Sequence, residues 1–164
     1  KRSSFLAKNG TVWKSERRLF TYKHASLECD SALEEAGVIF LIDFLGATRI
    51  ERYRNLVNYF DGGFHKVFNP DFWVEFEDHQ YGIVEVKMRW SAASGHSYNR
   101  PIPFKRKALE TFCKDKGLKF IWLDFDYDSR FSKVYEEHLK KRTGRQHFVK
   151  RAGVSPHSDK VLKG

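Results

Sequence analysis

The sequence predicts an α/β domain, a mixed β-sheet flanked by helices, and three observations predict it. A long apolar stretch between Ser26 and Phe44 has the length of a buried helix. Short alternating segments between Leu56 and Met88, separated by turn residues, read as antiparallel strands. An amphipathic segment from Pro101 to Lys116 then leads into Leu118 to Phe125, apolar but for Lys119 and Asp124, and the two read as a helix followed by a buried strand.

Each element has a local reason. Residues 1–22 carry Thr11-Val12-Trp13 and Leu19-Phe20-Thr21-Tyr22, which suit a short hairpin or an arm. Ser26 is the expected N-cap of the first helix, with Glu28 and Asp30 in its first turn. The Val38–Ile42 run would also suit a strand, and length decides for helix. Leu56–Phe60 and Phe64–Phe68 are strands around Asp61-Gly62-Gly63, whose glycines supply positive φ. Asn69-Pro70 bends the chain before Asp71. Phe72–Glu77 and Gly82–Met88 form the next hairpin around Asp78-His79-Gln80. A polar loop, Arg89 to Asn99, precedes a helix whose Phe104, Ala108, Leu109 and Phe112 make one stripe, and Gly117 stops it. A polar, charged helix is expected around Ser132–Arg142.

With 164 residues, 41% of them apolar and fifteen of them Phe, the chain suits one domain, 1–164. Its core is expected at about 22–127, with a basic arm over 1–22 and a basic helix and tail over 128–164. The longest apolar run, Ala36 to Ile42, is far short of the roughly 20 residues a membrane span needs, and no signal-like stretch follows the basic N-terminus. A cytoplasmic or nucleoid-associated setting is expected, with phage origin open. Cys29 and Cys113 lack any disulfide or zinc spacing and read as buried apolar side chains. The net charge of +9 is uneven: +6 over residues 1–24, +7 over 138–164 and −4 between. Basic ends around an acidic centre suit a protein that grips a polyanion at its periphery and holds a cation in its middle, although solvated basic tails alone would give the same pattern.

The chemistry-bearing pattern is Pro70-Asp71, thirteen residues, then Glu85-Val86-Lys87. Strand alternation puts Glu85 and Lys87 on one face and Val86 on the other. If the hairpin pairs as the turn suggests, Asp71 comes beside Glu85. Two carboxylates converging next to a lysine make a poor core and a good seat for a hard divalent cation. Asp71 and Glu85, with the Val86 carbonyl, are therefore the expected metal ligands, and Mg²⁺ the expected cofactor, with Mn²⁺ able to substitute. Lys87 is placed to orient or deprotonate a water and to offset developing charge. The bland alternative has Asp71 capping a turn and Glu85 paired with Lys87 on a solvated face.

The run Ser26-Leu27-Glu28, a hydrophobic helix ending Ile42-Asp43-Phe44, Asn69-Pro70-Asp71-Phe72-Trp73-Val74 and Glu85-Val86-Lys87 resembles the PD-(D/E)xK, or restriction-endonuclease-like, nuclease superfamily. Within it the order is most similar to the TnsA-type endonucleases of cut-and-paste transposons and their phage relatives, over roughly residues 22–127. The resemblance implies a restriction-endonuclease-like core and a metal-dependent DNA endonuclease with Asp71, Glu85 and Lys87 as catalytic residues. It implies a further acid on the first helix, for which Glu28 is the first choice and Glu34 and Glu35 are rivals. Two departures favour the broader nuclease over the transposon assignment: Glu stands at 85 where TnsA-type proteins often have Gln, and Arg54-Asn55-Leu56 stands where Gln-Pro is frequent.

DNA is the expected partner, with a homodimer or a recombinase or transposase partner as further candidates. Arg89, Arg100, Lys105, Arg106 and Lys107 beside the motif, and Lys140, Lys141 and Arg142 near the C-terminus, are the candidate nucleic-acid contacts, though solvated faces explain them nearly as well. Asp124, Asp126 and Asp128 suit an acidic loop edge or helix cap better than a metal site. No His spacing marks a ligand, and Trp73, Trp90 and Trp122 suit core packing. The alternatives to an endonuclease are a Holliday-junction resolvase and a catalytically silent DNA-binding subunit of a recombination complex.

Overall fold

The computed structural model describes residues 2–6, 12–88 and 100–151, with side chains over 17–88 and 100–142. Two antiparallel hairpins come first, β1 (Arg2–Leu6) with β2 (Val12–Glu16) and β3 (Arg18–Tyr22) with β4 (Ala25–Cys29). Next are α1 (Ala32–Asp43), β5 (Ala47–Arg52), β6 (Val57–Asp61), β7 (Phe64–Phe68), β8 (Phe72–Phe76) and β9 (Tyr81–Val86). The chain ends its described part with α2 (Ile102–Lys116), β10 (Lys119–Leu123) and α3 (Ser129–Arg151). No helix among the described residues is long and apolar enough to cross a membrane.

The central sheet has the order β10-β9-β8-β5. β8 runs antiparallel to both neighbours, while β10 lies parallel to β9 because α2 carries the chain back between them. The sheet is thus mixed and flanked by helices, as the sequence predicts. On one face Phe72, Val74, Val84 and Leu123 pack against Phe40 and Leu41 of α1 and Phe131 of α3. On the other, Ile83 and Trp122 pack against Leu109 and Cys113 of α2 and Tyr59 and Phe68 of the β6–β7 hairpin. Both faces are buried, so β9 and β10 read as nearly continuous apolar runs.

α1 approaches the sheet closely at Gly37, where an added Cβ would lie 3.1 Å from Val86 Cγ2 and 3.6 Å from Leu123 Cδ2. Packing thus explains a glycine inside this helix, and it bears on the strand that carries Glu85. Cys29 and Cys113 are free and buried, as expected, and burial pushes their thiols up to about 12 and about 11.

The first helix begins later than expected. Ala25, Leu27 and Cys29 point inward while Ser26 and Glu28 point out, a period of two that makes this segment β4. The N-cap is Ser31, whose hydroxyl accepts from the Glu34 N–H at 3.2 Å. β5 was not expected at all. It buries only Ala47 and Ile50, carries exposed charges between them, and has an irregular register between Ala47 and Arg49, so it lacks strand alternation. The β6–β7 hairpin forms as expected but stands as its own two-stranded sheet. In α2 the stripe rotates: Ile102, Leu109 and Cys113 are buried and Phe104 is exposed. Gly117, at φ 67°, ends α2 as expected, donating to the Cys113 and Lys114 carbonyls.

Candidate metal centre

The backbone of Asp71 is held from both sides. Its N–H donates to the Val84 carbonyl at 3.1 Å, and its carbonyl accepts from the Tyr53 N–H at 3.0 Å. The first bond continues the β8–β9 pairing past Phe72 and Val84, its last pair, and the second continues the β5–β8 pairing past Arg52 and Phe72. There the Asp71 and Glu85 carboxyls meet closely enough to share a hydrogen bond. The hairpin therefore brings Asp71 and Glu85 together, and Lys87, two residues on, joins them with its ammonium 3.5 Å from Glu85 Oε2.

The pair is electrostatically uncomfortable. Burial, then the charge of Glu85 and a hydrogen bond shared with it, pushes the Asp71 carboxyl well above the usual carboxylate range, against the opposing pull of the Val86 N–H. That N–H donates to Asp71 Oδ2 at 2.7 Å. Glu85 is only 5% exposed, and its buried Oε1 has no hydrogen-bond partner among the described residues. A buried carboxylate oxygen with nothing to bond is costly, and a cation would satisfy it. The Val86 carbonyl points to the same side of its strand as its N–H, toward β8. Two carboxylates and this carbonyl are a hard-oxygen donor set of the kind Mg²⁺ takes alongside several waters. Among the described residues no group of three or more His, Cys, Asp or Glu side chains is gathered to hold a metal, so any ion here relies on backbone oxygen and water for its remaining ligands.

The three rival acids separate cleanly. Glu28 is exposed on β4 rather than on the first helix, which removes the ground on which it was the first choice. Glu35 is committed elsewhere, 2.8 Å from His138 Nε2 and 3.1 Å from Arg18 Nε. Glu34 is the helix acid that senses Asp71. It forms an ion pair with Arg52, which also lies 3.6 Å from Asp30 and stacks over the Phe72 ring. Burial first, then the negative charge of Asp71, pushes Glu34 up to about 7, with Arg52 pulling the other way.

A folded value above the unfolded one means that the folded chain keeps a proton the unfolded chain releases. Stability from this group is complete below about 4.5 and is lost as pH rises toward about 7. Glu34→Gln cannot ionise. In metal-free buffer it is expected to match the wild type near pH 5 and to exceed it near pH 8 by on the order of 2 kcal/mol. Urea denaturation at both pH values measures this; a wild-type advantage that grows with pH would refute it.

The basic candidates do not form one patch. Lys105 leans over the Tyr59 and Phe68 rings, and Arg106 over Trp122, on the α2 side of the sheet. Burial, then the positive charge of Lys87, holds Lys105 below the usual lysine range, with the charge of Glu85 acting the other way. Arg100 pairs with the buried Asp61 at 3.3 Å, and Lys107 is exposed. Lys140 and Lys141 are exposed on α3, in the layer on the opposite face. Arg142 turns inward to Glu35 at 3.5 Å, so it is a structural cation and not a surface contact. Arg89 and Trp90 lie outside the described residues. Asp124 accepts from the Asp126 and Tyr127 N–H groups, and Asp128 from that of Arg130, so these acids shape the turn into α3. Trp122 is buried and Trp73 stacks between Tyr53 and Tyr81.

Sequence reasoning missed Arg52, which closes a strand the sequence does not reveal, whereas Lys105 was among its nucleic-acid contacts by its place in a basic run. Comparison of the chain with protein-family models, with curated proteins and with solved structures finds no match to any of them.

Proposed function

We propose that this protein is a Mg²⁺-dependent endodeoxyribonuclease of the PD-(D/E)xK type, with Asp71, Glu85 and Lys87 at its centre. The observation that carries the reading is the buried Oε1 of Glu85, partnerless among the described residues, beside the Asp71 carboxyl and on the same strand face as Lys87. An ordinary surface ion pair would leave neither an orphaned oxygen nor a carboxyl that burial and a like charge push well above the usual carboxylate range.

Asp71, Glu85 and the Val86 carbonyl would hold the ion. Bound there, Mg²⁺ lowers the pKa of a coordinated water and neutralises charge on the phosphate. Lys87 directs its ammonium to the same spot, where it can hold the attacking water by a hydrogen bond and offset charge that develops on the phosphoryl oxygens. Lys105, close behind, adds a second positive charge for the phosphate backbone. Glu34, already paired with Arg52, tunes the field at Asp71 from the helix side.

Incubation with supercoiled, linear and four-way-junction DNA, with Mg²⁺ or with EDTA, tests the reading. Cutting is expected only with the metal, and Asp71→Asn is expected to lower its rate at least about a hundredfold, since even residues behind metal ligands cost that much. Cutting that survives the substitution would remove this site from the chemistry. DNA binding without cutting would indicate a silent subunit, and a dimer that cuts only junctions would indicate a resolvase.

A further inference from the structure

The β6–β7 hairpin carries more than its packing requires. Its inward residues, Val57, Tyr59 and Phe68, are buried against α2. At its tip, however, Phe60 and Phe64 are 64% and 73% exposed, the most exposed phenylalanines among the described residues. The tip is not loose: Asp61, itself buried, holds Lys66 and Arg100 by ion pairs at 3.3 Å, and Gly62 and Gly63 take the positive φ of a tight turn. Two large apolar rings are thus held in water on a pinned support, Phe64 on the Lys66 face of the hairpin and Phe60 on the opposite face beside the His65 ring, and each marks a contact surface.

The hairpin is continuous with the carboxylate pair. Lys66 projects from the same strand face as Phe64, two residues along β7. Lys105, over the Tyr59 and Phe68 rings, is near enough to sense Lys66 on one side and Lys87 and Glu85 on the other. An aromatic tip is followed by a row of ammonium groups that ends at the proposed metal seat. Beside the hairpin a cleft of about 410 Å³ opens between Phe60 and Phe104, with Lys107 on its wall.

We infer that this hairpin receives unpaired bases of DNA, so that the substrate carries a single-stranded segment next to the phosphate cut at the Asp71–Glu85 centre. The inference rests on the nuclease reading for the position of the cut, though not for the binding itself. A phosphate backbone alone is answered by the lysines. Exposed phenyl faces answer base faces, which are free only where strands are unpaired, and stacking on them tolerates any sequence. A second copy of the chain is the poorer occupant: an isologous contact through this hairpin would set Lys66 and Lys107 near their own counterparts in a protein of net charge +9.

Fluorescence anisotropy in EDTA, where no cutting intervenes, tests this with a labelled single strand, a forked duplex and a blunt duplex of matched sequence. The wild type is expected to prefer the single strand and the fork. Phe60→Ala/Phe64→Ala, both at exposed positions and checked for folding by circular dichroism, is expected to weaken those two about tenfold or more and to leave the blunt duplex unchanged. Equal or tighter binding of blunt duplex by the wild type overturns the inference. So does an equal loss on all three DNAs, which would mean a wedge driven into duplex, or a change from dimer to monomer in sedimentation with DNA affinity intact. Fork binding through the hairpin with no metal-dependent cutting would keep the inference and remove the nuclease reading. Metal-dependent cutting of blunt duplex, indifferent to both substitutions, would do the reverse.

Discussion

Glu85→Gln is expected to make the metal-free protein more stable and to abolish its response to divalent cations. The Glu85 carboxylate is buried, lies against the Asp71 carboxyl and leaves Oε1 without a partner among the described residues. Gln has the same shape and no charge. It removes the repulsion that drives the Asp71 carboxyl upward, and its amide N–H₂ can donate to Asp71. The loss is one contact with Lys87 at 3.5 Å, worth well under the penalty of a buried like-charge pair. A net gain of about 1–2 kcal/mol is expected, which for a domain of this size raises Tm by roughly 2–8 °C. Mn²⁺ is expected to raise the Tm of the wild type by mass action and to leave Glu85→Gln unmoved. Thermal scans with EDTA and with Mn²⁺ read both effects. A variant less stable than the wild type in EDTA, or equally stabilised by Mn²⁺, would show that Glu85 is an ordinary structural carboxylate.

This opposition between stability and activity is what a site built for a missing positive charge should show. It also separates a metal seat from a salt bridge, where removing one partner destabilises. Glu35 gives the contrast within the same protein: Arg18 and Arg142 already supply its counter-charge and it needs no ion, whereas the Glu85 carboxylate has the Lys87 ammonium at 3.5 Å.

The Asp71–Glu85–Lys87 geometry was legible in the sequence because it depends on one turn and on strand alternation. Asp78-His79-Gln80 closes the hairpin, with His79 at φ 58°, and the pairing then follows residue by residue. Neither step needs knowledge of distant parts of the chain. The helix start was not legible, since Ser26 and Ser31 are equally good caps by type and both precede acids. Only the burial of Leu27 and Cys29 against the sheet decides between them, and that is a tertiary fact. β5 was hidden for a related reason: at the sheet edge its outward side chains form their own ion pairs, as Arg49 does with Glu51 and Glu75, and the apolar alternation is lost. The split of the basic residues between two faces follows from which layer each helix joins, which local pattern does not encode.

Among the three acids that the sequence left as rivals, Glu35→Ala is expected to have by far the largest effect on stability. Glu35 is buried on α1, and its carboxylate gathers His138 and Arg142 of α3 with Arg18 of β3. Burial opposes its charge, but these partners prevail and hold its pKa below the usual range, so it is ionised at neutral pH. Truncation leaves His138, itself buried, and the inward-turned Arg142 without their counter-charge beside a cavity. A loss of about 3–5 kcal/mol is expected, with Tm falling by roughly 6–20 °C. Because the network ties α3 to α1, α3 should become the first site of limited proteolysis. Glu28→Ala, on the exposed face of β4, should stay within about 0.5 kcal/mol of the wild type. The reverse ranking would place the first helix at Ser26 and undo the assignment of Glu34 as the acid nearest Asp71.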